Sequence, residues 1–222
     1  MMTNLFSIFD PASSMGLSLN WLSTILGLVI ITPSLFLFSS RPTLLLTNML
    51  EYLYKEVSIL LPKKTYHFML FFLSLFYMIM FNNSLGLLPQ IFTSSSHLVF
   101  TMSLALPLWL SYYLYGWVNK FKNMMAHLVP SGTPPILIPF MVVIETVSSL
   151  IRPLTLAVRL AANMIAGHLL MTLLSNYASI FSSSMITIVV SSQILLLILE
   201  TAVAVIQAYV FMVLSVLYAS EI

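Results

Sequence analysis

The sequence predicts an all-α membrane protein with about five membrane-embedded helices, the last two of them long, steeply tilted and paired as an antiparallel hairpin. Of its 222 residues, 60% are hydrophobic and only 6% are charged, whereas soluble domains are about 25% charged. The apolar runs are continuous and do not alternate with polar residues, which favours helices over a β-barrel. An aqueous fold is therefore excluded.

Five apolar runs are long enough to be embedded in a membrane, and together they define a single membrane domain over residues 1–222. The last run would form a helix about 50 Å long, whereas the hydrocarbon core is about 30 Å thick, so this helix must tilt or project. Pro139 and Pro153 could break or bend the equally long run before it. The predicted embedded segments are residues 17–38, 68–88, 98–118, 136–174 and 185–218.

Between the first two runs, polar residues recur at spacings of three and four among leucines and isoleucines. This pattern predicts a short amphipathic helix on the membrane surface, over residues 43–61. An ordinary connecting loop is the alternative. The polar residues of the pattern are Thr47, Glu51, Lys55 and Ser58, and Glu51 precedes Lys55 in the favourable order for an ion pair one turn apart.

Loop charges predict the orientation, because Lys and Arg near span ends mark the side that is not translocated. The loops over residues 90–97 and 176–184 carry no Lys, Arg, Asp or Glu. Five spans then place the amino terminus outside and the carboxyl terminus on the positive side. The basic residues that decide this are Arg41, Lys55, Lys63 and Lys64 after the first span, and Lys120 and Lys122 after the third.

Polar residues recur every seven positions in each of the last two helices. Seven residues are nearly two helical turns, so each set forms one polar stripe. A central membrane arginine costs about 2.5–3.5 kcal/mol on insertion scales, so two aligned stripes indicate function. The first stripe is Glu145, Arg152 and Arg159, and the second is Gln193, Glu200 and Gln207.

An antiparallel pairing of the last two helices brings two pairs of polar residues to matching depths in one register, to within two residues. One pair is Arg159 with Gln207, and the other is His168 with Glu200. His168 follows Arg159 by nine residues and so lies on a different face, which predicts a His168 and Glu200 cluster beside the arginine stripe.

Arg159 is the strongest candidate for a functional residue, because guanidinium stays protonated even where it is poorly solvated. The alternative is a structural arginine paired with Glu145 or Glu200. No carboxylate lies three or four residues away, and the surrounding residues are small, which lets another helix approach closely. The charge is therefore expected to face a partner. The small neighbours are Ala157, Ala161, Ala162, Ala166 and Gly167.

His168 and Glu200 could exchange protons, because imidazole titrates near neutral pH and a membrane carboxylate can titrate there too. A plain buried hydrogen-bonded pair is the competing interpretation. Asn163 and Gln207 could hydrogen-bond water or hold the guanidinium without adding charge. Glu145 lies toward the positive-side end of its helix, where it could line an aqueous exit or simply reach the interface.

Several classes of function are excluded by what the sequence lacks. It has no GxxxxGK[ST], HExxH or GxSxG motif, which argues against nucleotide binding or hydrolysis by this chain. Cysteine is absent, and the four histidines are too scattered for haem ligation. The net charge of +2 is too small and dispersed for nucleic acid. No cofactor or metal is expected.

Three segments resemble subunit a of F-type ATP synthases, of the animal mitochondrial type. The central one is IRPLTLAVRLAANMIAGHLL, and it is flanked by HLVPSGTPPILIPFMVVIETVS and LLILETAVAVIQAYVF. The arginine of LAVRL is essential in that family, and it matches Arg159. A histidine on the fifth helix of the family, with a glutamate on the sixth, is the mitochondrial arrangement and matches His168 and Glu200. The family does not always carry a basic residue at Arg152, so the resemblance assigns it no essential role.

The resemblance implies a proton-translocating stator subunit of the F0 sector in the mitochondrial inner membrane, with its amino terminus in the intermembrane space. Protons would reach a carboxylate of the rotating c-ring past His168 and Glu200 and leave past Glu145, while Arg159 separates the two half-channels. Such a subunit is not an enzyme by itself. Its implied partners are the c-ring, other stator subunits including b and small membrane subunits, and the lipid bilayer. A free-standing transporter and a structural assembly subunit are the alternatives.

Overall fold

The computed structural model describes residues 5–13, 16–29, 41–61, 68–88, 91–129, 134–178 and 183–221. These residues form α-helices and short 3₁₀ segments, with no β-strand in the described ranges, as the sequence predicts. The α-helices are α1 (Ser23–Val29), α2 (Arg41–Leu60), α3 (Met69–Gly86), α4 (Leu98–Asn119), α5 (Phe121–His127), α6 (Ile138–Ala178) and α7 (Ser183–Glu221).

Within the described part of the chain, α3, α4, α6 and α7 are each long and apolar enough to cross a membrane. Their bounds lie within about four residues of the predicted segments, as is usual for helix ends. The predicted first span begins with a 3₁₀ turn and α1, but its residues 30–40 lie outside the described residues, as do Lys63, Lys64 and His67.

The core lies where α3 meets α7 and α2, and where α4 packs on α6. Of the four candidate spans in the described residues, α3 is the most buried, although Leu70 and Phe71 on one of its faces are exposed. Phe72 and Ile79 of α3 are fully buried, as are Met212 and Val216 of α7 and Ala157 of α6. Because these contacts fix α7 against α3, they also fix the depth of every polar residue on α7.

α6 and α7 have 41 and 39 residues, which corresponds to lengths of about 60 Å each. α6 continues through Pro153 without an interruption in its helical assignment. The two helices pack together, and only residues 179–182 separate the last described residue of α6 from the first of α7. So short a connection between packed helices makes them antiparallel.

α2 is the surface helix expected from its polar pattern. Its Lys55 Nζ lies 2.9 Å from Glu51 Oε1, and both side chains are about two-thirds exposed. This hydrogen bond and the lysine charge lower the pKa of the Glu51 carboxyl. On the opposite face Val57 is fully buried, and Tyr77 of α3 donates a hydrogen bond to the carbonyl of Leu46 at 3.2 Å. α2 is therefore held to the helical core by one face.

Candidate functional site

Arg159 lies on the outer face of α6. Its side chain is exposed, whereas the next two residues, Leu160 and Ala161, are only 3% and 2% exposed. Among the residues that the structure describes, no carboxylate forms an ion pair with Arg159, so neither Glu145 nor Glu200 neutralises it. The exposed neighbours on its face include Thr155, Ala162 and Ala166. The Arg159 cation is therefore surrounded by small exposed residues on this face.

Glu145 pairs with Arg152, not with Arg159. Arg152 donates a hydrogen bond to Glu145 Oε1 at 3.4 Å, across two turns of α6. The pair lies in a cavity of about 390 Å³ that is walled largely by aromatic side chains. The cavity lies between α6, α4, α5 and the end of α7, and its other lining residues include Trp109, Tyr113, Trp117, His127 and Tyr218.

Glu200 is the most deeply placed carboxylate in the described ranges. Its residue is 8% exposed, and its Oε1 is buried without a hydrogen-bond partner in those ranges. Gly167 of α6 makes room for it: a Cβ on that glycine would lie 2.5 Å from Cδ of Glu200 and 3.1 Å from Cγ. Gly167 precedes His168, so the contact matches the predicted register to within one residue.

A small cavity of about 190 Å³ lies between α6 and α7 beside Glu200. Asn163 lines it together with Glu200, and the rest of its wall is apolar. A cavity of this size can hold several water molecules beside polar groups. The structure therefore brings the Asn163 and Glu200 of the sequence prediction into one site.

His168 lies near Glu200 in the helix register, but no hydrogen bond joins the two side chains in the described chain. Its Nε2 is buried and has no hydrogen-bond partner among the described residues, and its ring interacts with the backbone of Gly86 at the end of α3. Phe9 meets the imidazole edge-on, with the ring centroids 6.3 Å apart. The simple hydrogen-bonded pair is therefore not formed among the residues that the structure describes.

Gln207 is half-buried on α7 and makes no hydrogen bond with Arg159 in the parts of the chain that are described. The sequence pattern predicts matching depths for these two residues, and that expectation remains a prediction. No group of three His, Cys, Asp or Glu side chains among the described residues could hold a metal ion.

Buried polar groups that the sequence pattern did not single out lie on α3 and in the 3₁₀ turn before α4. Asn82 and Asn83 of α3 are buried, and Asn83 donates a hydrogen bond to the carbonyl of Ala204, one turn beyond Glu200, at 3.3 Å. Both Asn82 side-chain polar atoms lack partners in the described ranges. The sequence feature that could have indicated them is the pair of adjacent asparagines in an otherwise apolar run. Thr93 and three following serines are also buried, in a 3₁₀ turn that packs on α6.

His97 lies at the amino-terminal end of α4. Its Nε2 is buried without a partner in the described residues. Its ring stacks on Phe92, with the centroids 5.1 Å apart, and lies 5.3 Å from the Trp21 ring centroid. The aromatic rings therefore pack against a half-buried imidazole whose Nε2 is shielded from water.

The family of the chain follows from comparison with known proteins. Residues 19–220 match the family model described as ATP synthase A chain. The chain belongs to the ATP synthase A chain family. It is 58% identical over 225 residues to ATP synthase subunit a of Anopheles gambiae and 57% identical over 223 residues to that of Drosophila melanogaster. Each alignment covers 100% of both chains. ATP synthase subunit a of Aedes aegypti is 58% identical over the same full extent.

Membership of the ATP synthase A chain family agrees with the resemblance found in the three sequence segments. The match covers α2 to α6 completely and nearly all of α7. The helices that carry Arg159, His168 and Glu200 therefore belong to the part that defines the family.

Proposed function

We propose that this chain is the proton-translocating stator subunit of an F0 sector, which offers two proton half-channels to carboxylates on a rotating c-ring and couples proton flow to ATP synthesis. The exposed, unneutralised position of Arg159 on a membrane helix carries this proposal. A membrane arginine almost always faces a partner or a cavity, because its charge is expensive in lipid. A carboxylate on a passing ring would satisfy the guanidinium.

Proton uptake is assigned to the side of Glu200 and His168. Glu200 beside the cavity with Asn163 can take a proton from water and pass it to a ring carboxylate. His168, which follows Gly167 on α6, can relay protons toward Glu200. Release is assigned to Glu145 in the larger cavity at the other end of α6, where Arg152 holds its carboxylate in place.

Arg159 keeps the two routes apart. A nearby cation favours the ionised form of a carboxylate, so a ring carboxylate that reaches Arg159 gives up its proton before it passes. The same charge repels a proton that would cross directly between the half-channels. Protons must therefore move between the half-channels bound to ring carboxylates, driven by about 2.3 kcal/mol per charge for each 100 mV of membrane potential.

The complex implied is the mitochondrial ATP synthase, in the inner membrane. Partners would be the c-ring on the Arg159 face, and subunit b and small membrane subunits on other lipid-exposed faces. Nucleotide chemistry belongs to other subunits, since this chain lacks a phosphate-binding motif. The subunit is then a conductor of protons and not a catalyst by itself.

Contact with the ring can be tested by cysteine crosslinking, because the chain has no cysteine of its own. Ala162→Cys, exposed one turn from Arg159, is expected to crosslink to a cysteine placed beside the ring carboxylate. Ala161→Cys is the matched control, because Ala161 is only 2% exposed and faces the core. Equal crosslinking of both variants, or none from Ala162→Cys in an assembled complex, would contradict a ring on this face.

The orientation can be tested by labelling lysines with a membrane-impermeant amine reagent. Lys120 and Lys122 are exposed at the end of α4 and the start of α5, and positive loops are expected in the matrix. Both should react in inverted inner-membrane vesicles and be protected in mitoplasts. Labelling of Lys120 in intact mitoplasts would reverse the assignment.

A further inference from the structure

Glu56 is placed unusually for a surface carboxylate. It lies on α2 away from the polar side that carries the Glu51 and Lys55 pair, and the residues one turn away on its own face are Tyr52 and Ile59. These two are 71% and 84% exposed. Glu56 therefore lies next to exposed apolar side chains and outside the Glu51 and Lys55 pair.

Glu56 also reaches another helix. Tyr209 of α7 donates its phenolic hydrogen to Glu56 Oε2 at 3.3 Å. Tyr209 is 40% exposed, and Ala202 and Val205 lie above it on the same open face of α7. The Tyr209 hydroxyl therefore connects the exposed face of α7 with the Glu56 carboxylate on α2.

The depth of Tyr209 follows from the helix register. Glu200 lies beside Gly167 on the antiparallel α6, and Tyr209 follows Glu200 by nine residues. Nine residues before Gly167 is Val158, so Tyr209 lies at the depth of Arg159 to within about one residue, a rise of about 1.5 Å. A ring carboxylate held by Arg159 would pass at this level.

We propose that Tyr209 and Glu56 form a second proton-release route at the level of Arg159, parallel to Glu145. This inference rests on the proposed function. The proton of the ring carboxylic acid moves to the Tyr209 oxygen while the phenolic proton moves to the Glu56 carboxylate. The ring is left with an ionised carboxylate, the phenol is restored, and Glu56 then gives its proton to matrix water.

A purely structural role is the competing explanation, in which the hydrogen bond only fastens α2 to α7. Glu56→Gln separates the two, because an amide oxygen can still accept the phenolic hydrogen but cannot take up a proton. Tyr209→Phe removes the relay and the fastening together. Glu51→Gln is the matched control, since Glu51 is an exposed carboxylate on the same helix but its partner is Lys55.

The experiment measures proton flux in vesicles that contain the purified complete complex, with assembly checked by subunit content. Glu56→Gln and Tyr209→Phe are each expected to lower flux to roughly half, as when one of two similar parallel routes is closed, and Glu51→Gln to leave it unchanged. Adding Glu145→Gln to Glu56→Gln should lower flux far more than either change alone.

Normal proton flux in assembled Glu56→Gln complexes would overturn the proposal. A loss of flux in Tyr209→Phe alone would overturn it too, because it would show that the hydrogen bond only holds α2 to α7. If Glu56→Gln complexes do not assemble, proton flux through Tyr209→Phe complexes is the deciding measurement. Normal flux in those complexes would exclude a relay through Tyr209. These failures are distinct from failure of the proposed function. If only this release route were absent, Arg159 would remain essential for coupling. If the proposed function itself were wrong, Arg159 would not be essential.

Discussion

Replacing Arg159 with lysine is expected to abolish coupled ATP synthesis although the formal charge is kept. Lysine lacks the planar fork that binds a carboxylate through two N–H groups, and an ammonium group readily loses its proton in a dry site. Arg159→Ala should abolish ATP-driven proton pumping as well. Rates of ATP synthesis and of pumping in reconstituted vesicles are the measurements.

The matched control for this prediction is Arg152→Lys, the same change one heptad earlier on α6. Arg152 donates a long hydrogen bond of 3.4 Å to Glu145, and an ammonium group can supply that contact. Synthesis should therefore largely survive there. Both variants must be shown to assemble, since an uncompensated change in a membrane helix can prevent folding by itself. Normal coupling in assembled Arg159→Lys complexes would show that the guanidinium fork is not needed.

Glu200→Gln is expected to slow proton uptake by at least about tenfold while the complex still assembles. Acid–base groups contribute about 10²–10⁴-fold, and water in the adjacent cavity should replace part of that contribution. The amide keeps the shape that fits against Gly167. His168→Leu should also slow uptake, because it removes the imidazole and its free Nε2. Proton flux in reconstituted vesicles measures both.

Thr172→Val serves as the control for the uptake variants. Thr172 lies one turn beyond His168, its hydroxyl bonds only to the carbonyl of Leu169 in the described residues, and it does not titrate. Flux should be nearly normal in this variant. If Glu200→Gln and His168→Leu both gave the flux of the Thr172→Val control, the two residues would be structural.

Much of the fold could be predicted because hydropathy alone determines which segments enter a membrane. The sequence also indicated the register of α6 and α7, since buried polar residues must meet across the interface. The contact of Glu200 with Gly167 lies within one residue of the predicted pairing of Glu200 with His168. The Glu51 and Lys55 pair likewise follows from spacing within one helix.

What the sequence could not predict depends on contacts between distant helices. α3 is apolar on all sides, so no period in its sequence shows which face meets α7, and Asn82 and Asn83 gave no hint of their partners. Glu56 sits beside Lys55 in sequence and looks like part of a charged surface. Only the packing of α2 on α7 reveals that it meets Tyr209.

The central claim is that Arg159 stands between two aqueous half-channels, and passive proton conduction through Arg159→Ala complexes tests it most directly. A unit charge at about 4 Å contributes about 4 kcal/mol at an effective dielectric constant of 20, which corresponds to about 10³-fold in a rate. Membranes with assembled Arg159→Ala complexes should therefore leak protons under an applied potential while ATP-driven pumping is absent. Assembled Arg159→Ala complexes that stay proton-tight and synthesise ATP at normal efficiency would contradict the account.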